Sequence, residues 1–323
     1  MNDLVVVTDT DLPGTDRVLD ILRAGGLRAR LADCRTEDDV IAAAADATAL
    51  VVQWAPVTAR VLDRLERCRF IGRLGIGYDM IDVAAATARG IAVANTPGYC
   101  VEEVAAHTIA FVMAAARRLL PLDLAVRRHR WAVSEDGPAA ARPSRTTLGV
   151  LGFGRIGSRT AAHAAALGFD VVVHDPHVAG GAIRAAGHRP AGLDEALAAA
   201  DILSLHVPLT DATRHLLDAR ALARLPRGAM VVNTCRGGLI DEAALAAAIR
   251  DGHLAGAGLD VFETEPLPAD SPLRDLPGVV LTPHAAWFSP QAMDELGRTT
   301  ARQVVDFLNR RPVPSIVNPE YAR

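Results

Sequence analysis

The sequence predicts an α/β protein made of two Rossmann/flavodoxin-like parallel-sheet domains with a cleft between them, the first domain discontinuous in the chain. Three observations predict it. Short runs rich in Val, Ile and Leu alternate with amphipathic helical stretches along the 323 residues, the pattern of parallel sheets covered by helices on both faces. The alternation is interrupted near residue 100 and then restarts. A last helical stretch, PQAMDELGRTTARQVVDFLNR, has no strand after it, so it is expected to cross back onto the first half.

In order, the first half offers strands at 4–9 (LVVVTD), 27–33 (LRARLAD), 49–54 (ALVVQW), 70–75 (FIGRLG) and 91–95 (IAVAN). Helical patterns such as RVLDILRAG and ARVLDRLERC lie between them. From about residue 100, VEEVAAHTIAFVMAAARRLL predicts one long helix, apolar on most sides and so buried between elements or subunits. A less regular polar stretch, 121–146, follows, with a loop at EDGPAAARP. The second half has strands at 147–152, 170–175, 200–207, 229–234, 256–261 and 279–283. Six strands are what a dinucleotide-binding sheet needs. The expected boundaries are 1–98 with 288–323 for one domain and 99–287 for the other.

Composition removes several function classes. Half of the residues are apolar and 22% are charged, as in folded globular proteins. A net charge of −4 with scattered basic residues leaves no nucleic-acid footprint. The opening MNDLVVVTDTD reads as a strand and not as a signal peptide. The longest apolar runs, such as IAFVMAAA, are too short to span a bilayer. Neither nucleic acid nor membrane is an expected partner. Cys34, Cys68, Cys100 and Cys235 have no metal or redox spacing, so reduced thiols in a cytoplasm and no metal are expected.

The sharpest signal is LGVLGFGRIGSRTAAHAAALGFDVVVHDP. Gly152, Gly154 and Gly157 satisfy G-x-G-x-x-G directly after a strand and at the start of a helix, with Arg155 and Ile156 inside the same turn. Such a turn lets backbone approach a pyrophosphate at the positive helix N-terminus. Asp175 ends the next strand, 23 residues after Gly152, near the ~20 expected for the acid that binds a ribose 2′-hydroxyl. A carboxylate there repels a 2′-phosphate, which favours NAD over NADP, although His174 and His177 could soften the discrimination.

Three later strands each end in a chemically useful residue. Arg236 follows 229–234, Glu265 follows 256–261 with Glu263 as a rival, and His284 follows 279–283. Ligands of open α/β sheets bind beyond the carboxyl ends of strands, so all three are expected to face one crevice.

Several motifs, in order, closely resemble the D-isomer-specific 2-hydroxyacid dehydrogenases: RLGIGYDMIDVAAATARGIAVANTPG, TLGVLGFGRIG, HVPLTDATRHLL, LPRGAMVVNTCRGGLIDEAAL, GAGLDVFETEPL and TPHAAW. The ending TPHAAWFSPQA looks most like the C-terminal binding protein branch. The resemblance implies that Arg236, Glu265 and His284 are catalytic, the acid being the Glu directly before proline. It implies a carboxylate-binding turn at Leu74, Gly75, Ile76 and Gly77, and cofactor contacts from Val207, Pro208, Thr213, Thr234, Cys235 and Asp260. It also implies a discontinuous substrate domain and a homodimer joined through the NAD-binding domain. Reducing a 2-oxo acid takes a hydride to the carbonyl carbon and a proton to its oxygen. A histidine, with an ordinary pKa of about 6.5, can donate that proton. A glutamate on the far ring nitrogen orients it, and an arginine holds a carboxylate with a planar fork.

Trp287 either walls the substrate pocket, with Trp54 and Tyr78, or packs under the last helix. The first case points to an apolar substrate side chain. Gln53 stands where phosphoglycerate dehydrogenases carry an Arg, and no regulatory domain follows the last helix, both counting against a phosphorylated substrate. Two functions are expected from this reading: an NAD-dependent reductase of a small 2-oxo acid (or dehydrogenase of the 2-hydroxy acid), and alternatively an NAD(H)-sensing binding protein with little turnover.

Overall fold

The computed structural model describes residues 3–11, 13–131 and 140–322. The chain divides into two compact units, Met1–Tyr99 with Phe288–Arg323, and Cys100–Trp287.

The first unit runs β1 (Leu4–Val7), α1 (Thr15–Ala24), β2 (Arg28–Leu31), α2 (Glu37–Ala44), β3 (Ala49–Val52), α3 (Ala59–Leu62), β4 (Phe70–Arg73), α4 (Val83–Ala88) and β5 (Ala92–Ala94). Its sheet has the order β2-β1-β3-β4-β5, and every pairing is parallel. Strands β1, β3 and β4 are buried along their whole length, as strands covered on both faces must be. Helix α2 starts with a capping box in which Thr36 and Asp39 satisfy each other's backbone N–H.

The second unit begins with α5 (Val101–Ala116) and α6 (Leu119–Arg127). Then come β6 (Thr147–Leu151), α7 (Arg155–Ala166), β7 (Asp170–His174), α8 (Gly180–Ala185), β8 (Arg189–Pro190), α9 (Leu193–Ala199) and β9 (Ile202–Leu205). It closes with α10 (Ala219–Leu222), β10 (Met230–Asn233), α11 (Glu242–Arg250), β11 (Gly256–Leu259) and β12 (Val279–Leu281). Seven strands form one sheet in the order β12-β11-β10-β9-β6-β7-β8. The direction of winding reverses between β6 and β9, the switch point of a dinucleotide-binding fold.

The chain then returns to the first unit as α12 (Pro290–Leu308), which packs on α1, β3 and β4. Beyond it, the fully buried Asn318 side chain accepts from Val93 N at 2.8 Å and donates to Ile91 O at 2.9 Å. Those bonds stitch the returning segment to β5.

Three sequence expectations are corrected. The long helix expected over VEEVAAHTIAFVMAAARRLL is two helices, because Arg118 takes a left-handed conformation at φ 53 and starts α6. Part of the expected irregular stretch 121–146 is therefore helical, and most of EDGPAAARP lies outside the described residues. The second sheet has seven strands rather than six. The added strand, β8, has two residues and ends in proline, which restricts it to an edge and leaves no hydrophobic run to read. ARVLDRLERC is helical only over Ala59–Leu62.

Candidate active site

In the second unit, β10, β11 and β12 are neighbours in one sheet. Arg236, Glu265 and His284 leave the carboxyl ends of these three strands, so residues far apart in sequence emerge side by side. On the other flank, the glycine-rich turn leaves β6, Asp175 leaves β7, and His206 and Val207 leave β9.

The turn is built for close backbone approach. A Cβ on Gly157 would fall 2.1 Å from Gly152 O, whereas one on Gly154 would meet nothing within 4 Å. Only glycine therefore allows α7 to start against β6, and the space over its first turn is open. Gly154 is the N-cap of α7 and brings no side-chain cap, so no N-cap side chain competes with an anion for the first-turn N–H groups of Arg155 and Ile156. Asp175 braces the turn: its Oδ2 accepts from Phe153 N at 2.7 Å and its Oδ1 from His177 N at 2.8 Å. These residues fit a dinucleotide pyrophosphate and a ribose diol. His174 bonds Ala191 O through Nδ1 at 3.1 Å.

The other expected cofactor residues divide. Val207 lies against the turn, its Cγ1 3.0 Å from where a Gly152 Cβ would stand. Thr213 closes its own loop, donating to Pro208 O at 2.7 Å and accepting from Thr210 N at 2.8 Å. Cys235 contacts Leu205 O through Sγ, and burial pushes its thiol up to about 12. His206 is pushed down to about 4 by burial, with Nε2 2.9 Å from Ser204 Oγ; its ring is neutral and serves the packing beneath the turn.

The central contact is between His284 Nδ1 and Glu265 Oε2 at 2.7 Å. Glu265 Oε1 accepts from Phe262 N at 2.9 Å. Burial raises the Glu265 pKa, but the His284 bond and charge, the Phe262 N–H and the charge of Arg236 outweigh it and hold the carboxyl below its ordinary value. The rival Glu263 turns away to His215 Nε2 at 2.5 Å. Gly237 lets the Arg236 loop pack on the Phe262–Glu263 backbone: a Cβ there would come within 1.8 Å of Phe262 C. Asn233, 1% exposed, holds the Arg236 loop, donating to Arg236 O at 2.8 Å and accepting from Cys235 N at 3.0 Å.

His284 itself stands at φ 52, a left-handed conformation that strains a residue with a Cβ. Asp260, 1% exposed, enforces it. Its carbonyl accepts from His284 N at 2.7 Å, and its carboxylate accepts from Ala285 N at 2.8 Å and Ala286 N at 2.9 Å. The Trp287 indole N–H caps His284 O at 2.8 Å, so Trp287 is tied to the histidine's own backbone. Sequence reasoning offered no sign of this turn-holding work by Asp260 or of the Thr282 and His107 side chains behind it, which are linked across 175 residues.

In the first unit, the turn Leu74–Gly77 leaves β4. Leu74 N is bonded to Val52 O and Gly75 N to Arg73 O, so of the four expected donors Ile76 and Gly77 are the candidates. Thr96 N donates to Gly75 O and Asn95 Nδ2 donates to Ile76 O at 2.7 Å, which braces the turn from its carbonyl side. The buried Arg73 guanidinium stacks over Trp54, 5.4 Å from the ring centroid, so that indole carries a cation on one face.

Among the described residues no group of His, Cys, Asp or Glu could hold a metal ion, and no helix is long and apolar enough to cross a membrane.

Residues 109–286 match the family model described as D-isomer specific 2-hydroxyacid dehydrogenase, NAD binding domain. The chain is 40% identical over 316 residues to a D-3-phosphoglycerate dehydrogenase of Mycobacterium tuberculosis, covering 98% of this chain and 58% of that protein. It thus spans little more than half the length of such relatives. It is 38% identical over 270 residues to a glyoxylate reductase of Korarchaeum cryptofilum, covering 83% of this chain and 81% of that one. A D-lactate dehydrogenase from Aquifex aeolicus, solved with NAD and lactic acid, superposes with a TM-score of 0.85 at 28% identity over 95% of this chain and 96% of that one. These names do not support the narrower likeness to C-terminal binding proteins.

Proposed function

Because this chain belongs to the D-isomer-specific 2-hydroxyacid dehydrogenase family, we propose that it is an NAD-dependent oxidoreductase of a small 2-oxo/2-hydroxy acid. The observation that carries the proposal is the Glu265–His284 pair at 2.7 Å with the Arg236 charge beside it. When bound, NADH supplies the hydride to the carbonyl carbon. Glu265 occupies His284 Nδ1, which leaves Nε2 as the nitrogen to hand a proton to the carbonyl oxygen and to take it back in the reverse direction. Arg236 offers its guanidinium fork to the substrate carboxylate. In this reading the unit Met1–Tyr99 with Phe288–Arg323 is the substrate domain and Cys100–Trp287 the cofactor domain.

NAD is the preferred cofactor, since Asp175 would repel a 2′-phosphate. Thr234, Val207 and Pro208 line the remainder of that site, whereas the expected cofactor contact Asp260 is 1% exposed and its carboxylate is taken up by the His284 turn. Trp287, anchored at His284, supports a substrate with a small apolar side chain. The test is NADH oxidation with glyoxylate, pyruvate, 4-methyl-2-oxopentanoate, phenylpyruvate and 3-phosphohydroxypyruvate. Turnover of one of the unphosphorylated acids that is abolished in His284→Ala is expected; no turnover with any of them, despite NADH binding, refutes the reading.

The protein acts as a homodimer joined through the cofactor domain. Leu119, Leu120, Leu124 and Val126 on α6 are exposed, and Trp131 is 92% exposed, a set of large apolar side chains in water that supports a protein–protein contact there. Leu120 and Leu124 also border a cavity of about 460 Å³. Light scattering is expected to give twice the chain mass, and Leu124→Asp to halve it; a monomeric wild type refutes the assembly. None of the four cysteines is in a disulfide, which fits a reducing cytoplasm.

A further inference from the structure

We propose that His107 and Thr108, neighbours on α5, are positioning residues that lock the two strand exits carrying His284 and Arg236. The inference deepens the proposed function and rests on it for the roles of those two residues.

Hydrogen-bond directions carry the argument. His107 Nε2 lies 3.1 Å from Thr282 Oγ1, and the Thr282 hydroxyl donates to Asp260 Oδ1. A hydroxyl has one proton, so Thr282 can only accept from His107. That fixes the ring as its Nε2–H tautomer. Asp260 Oδ1 and Oδ2 then hold Ala285 N and Ala286 N, and with Asp260 O on His284 N the turn is kept at the left-handed φ of 52. The chain of contacts runs from ring to hydroxyl to carboxylate to the turn that presents the acid. One residue on, Thr108 Oγ1 donates to Val104 O at 2.7 Å, so at 2.9 Å it accepts from Thr234 Oγ1. Thr234 lies two residues before Arg236.

The helix is registered firmly enough to act as a ruler. Phe111 packs on β11 where Gly258 leaves room: a Cβ there would come 2.7 Å from the ring's Cγ. His107 meets Phe111 edge-on, with centroids 4.7 Å apart. The Asp260 carboxylate is 4.0 Å from His107 Nε2, too far for a direct bond, so Thr282 is the necessary link.

Nitrogen-15 NMR of the histidine rings in the full chain without cofactor or substrate reads the tautomer directly. His107 is expected as Nε2–H, and His284 with Nδ1–H bonded to Glu265. His107→Leu and Thr282→Val are expected to weaken the His284 Nδ1–H signature while the protein still melts cooperatively. His107→Gln, whose amide can still donate to Thr282, is expected to restore it. In turnover, His107→Leu should lower kcat about ten- to hundred-fold, the loss that misplacement of a reacting group brings. KM and NADH affinity should change by no more than about threefold. An Nδ1–H tautomer of His107 in the wild type, or unaltered His284 signals in a folded His107→Leu, overturns the inference. Absence of turnover in the wild type would overturn only the proposed function, since the ring tautomers are read without it.

Discussion

Replacing Glu265 by Gln isolates the charge that the proposed acid depends on. Glu265 uses one oxygen on Phe262 N at 2.9 Å and the other on His284 Nδ1 at 2.7 Å. Glutamine has the same shape but one acceptor oxygen, so it can keep one of these bonds and loses the charge in either orientation. A hydrogen bond to a charged group is worth about 1.5–3 kcal/mol. The His284 and Glu265 side chains are 21% and 33% exposed, so water screens the pair and the lower end, about 1.5 kcal/mol, applies. That is roughly a tenfold loss in rate. The expected result is 2-oxo acid reduction about tenfold slower near neutral pH. Steady-state NADH oxidation measures it. Glu263→Gln is the control, because Glu263 serves His215 and its loss should leave the rate in place. An unaltered rate in Glu265→Gln, or an equal loss in both variants, refutes the reasoning.

Three further outcomes are expected. Asp175→Ala should reduce the preference for NADH over NADPH by about tenfold or more, since it removes both a charged hydrogen-bond acceptor and a repulsive charge; unchanged selectivity in the ratio of kcat/KM values would remove the ribose assignment. Gly237→Ala should lower stability by about 1–3 kcal/mol, because its Cβ would lie 1.8 Å from Phe262 C; a thermal melt equal to the wild type would show that the backbone yields there without cost. Glu265, held below its ordinary pKa by its partners, contributes stability that is complete above that ordinary value and lost as pH falls through its lower folded value. Denaturant unfolding of wild type and Glu265→Gln should therefore converge in acid and diverge toward neutrality; a constant gap would contradict this.

Most of the architecture was legible because burial on both faces writes parallel strands as continuous apolar runs. LVVV, ALVV and MVVN are read at once, each within two residues of its true end. What failed were elements with no such run. Strand β8 is an arginine and a proline at an edge, and the break at Arg118 comes from a backbone conformation that no side-chain period encodes. The catalytic candidates were legible because each follows a strand, and the strand order makes neighbours of β10, β11 and β12. The supports were not. Nothing near Asp260 in sequence announces that its carboxylate will hold two amides 25 and 26 residues away, and His107 looks like one more residue on an apolar helix.

That hidden support has a physical reason to exist. A histidine at φ 52 sits on the order of 1 kcal/mol or more above its relaxed backbone, and left alone the turn would relax and swing the ring off Glu265. A buried carboxylate is itself costly unless its oxygens are hydrogen-bonded. Asp260 offsets both costs together: the amides of Ala285 and Ala286 and the Thr282 hydroxyl satisfy the carboxylate, and the same bonds hold the strained turn in place. Replacing Asp260 by Asn would give the position one acceptor oxygen in place of two, so one of the two amides would face an N–H group. His284 should then lose its fixed direction even though no atom of the Glu265 pair has been altered.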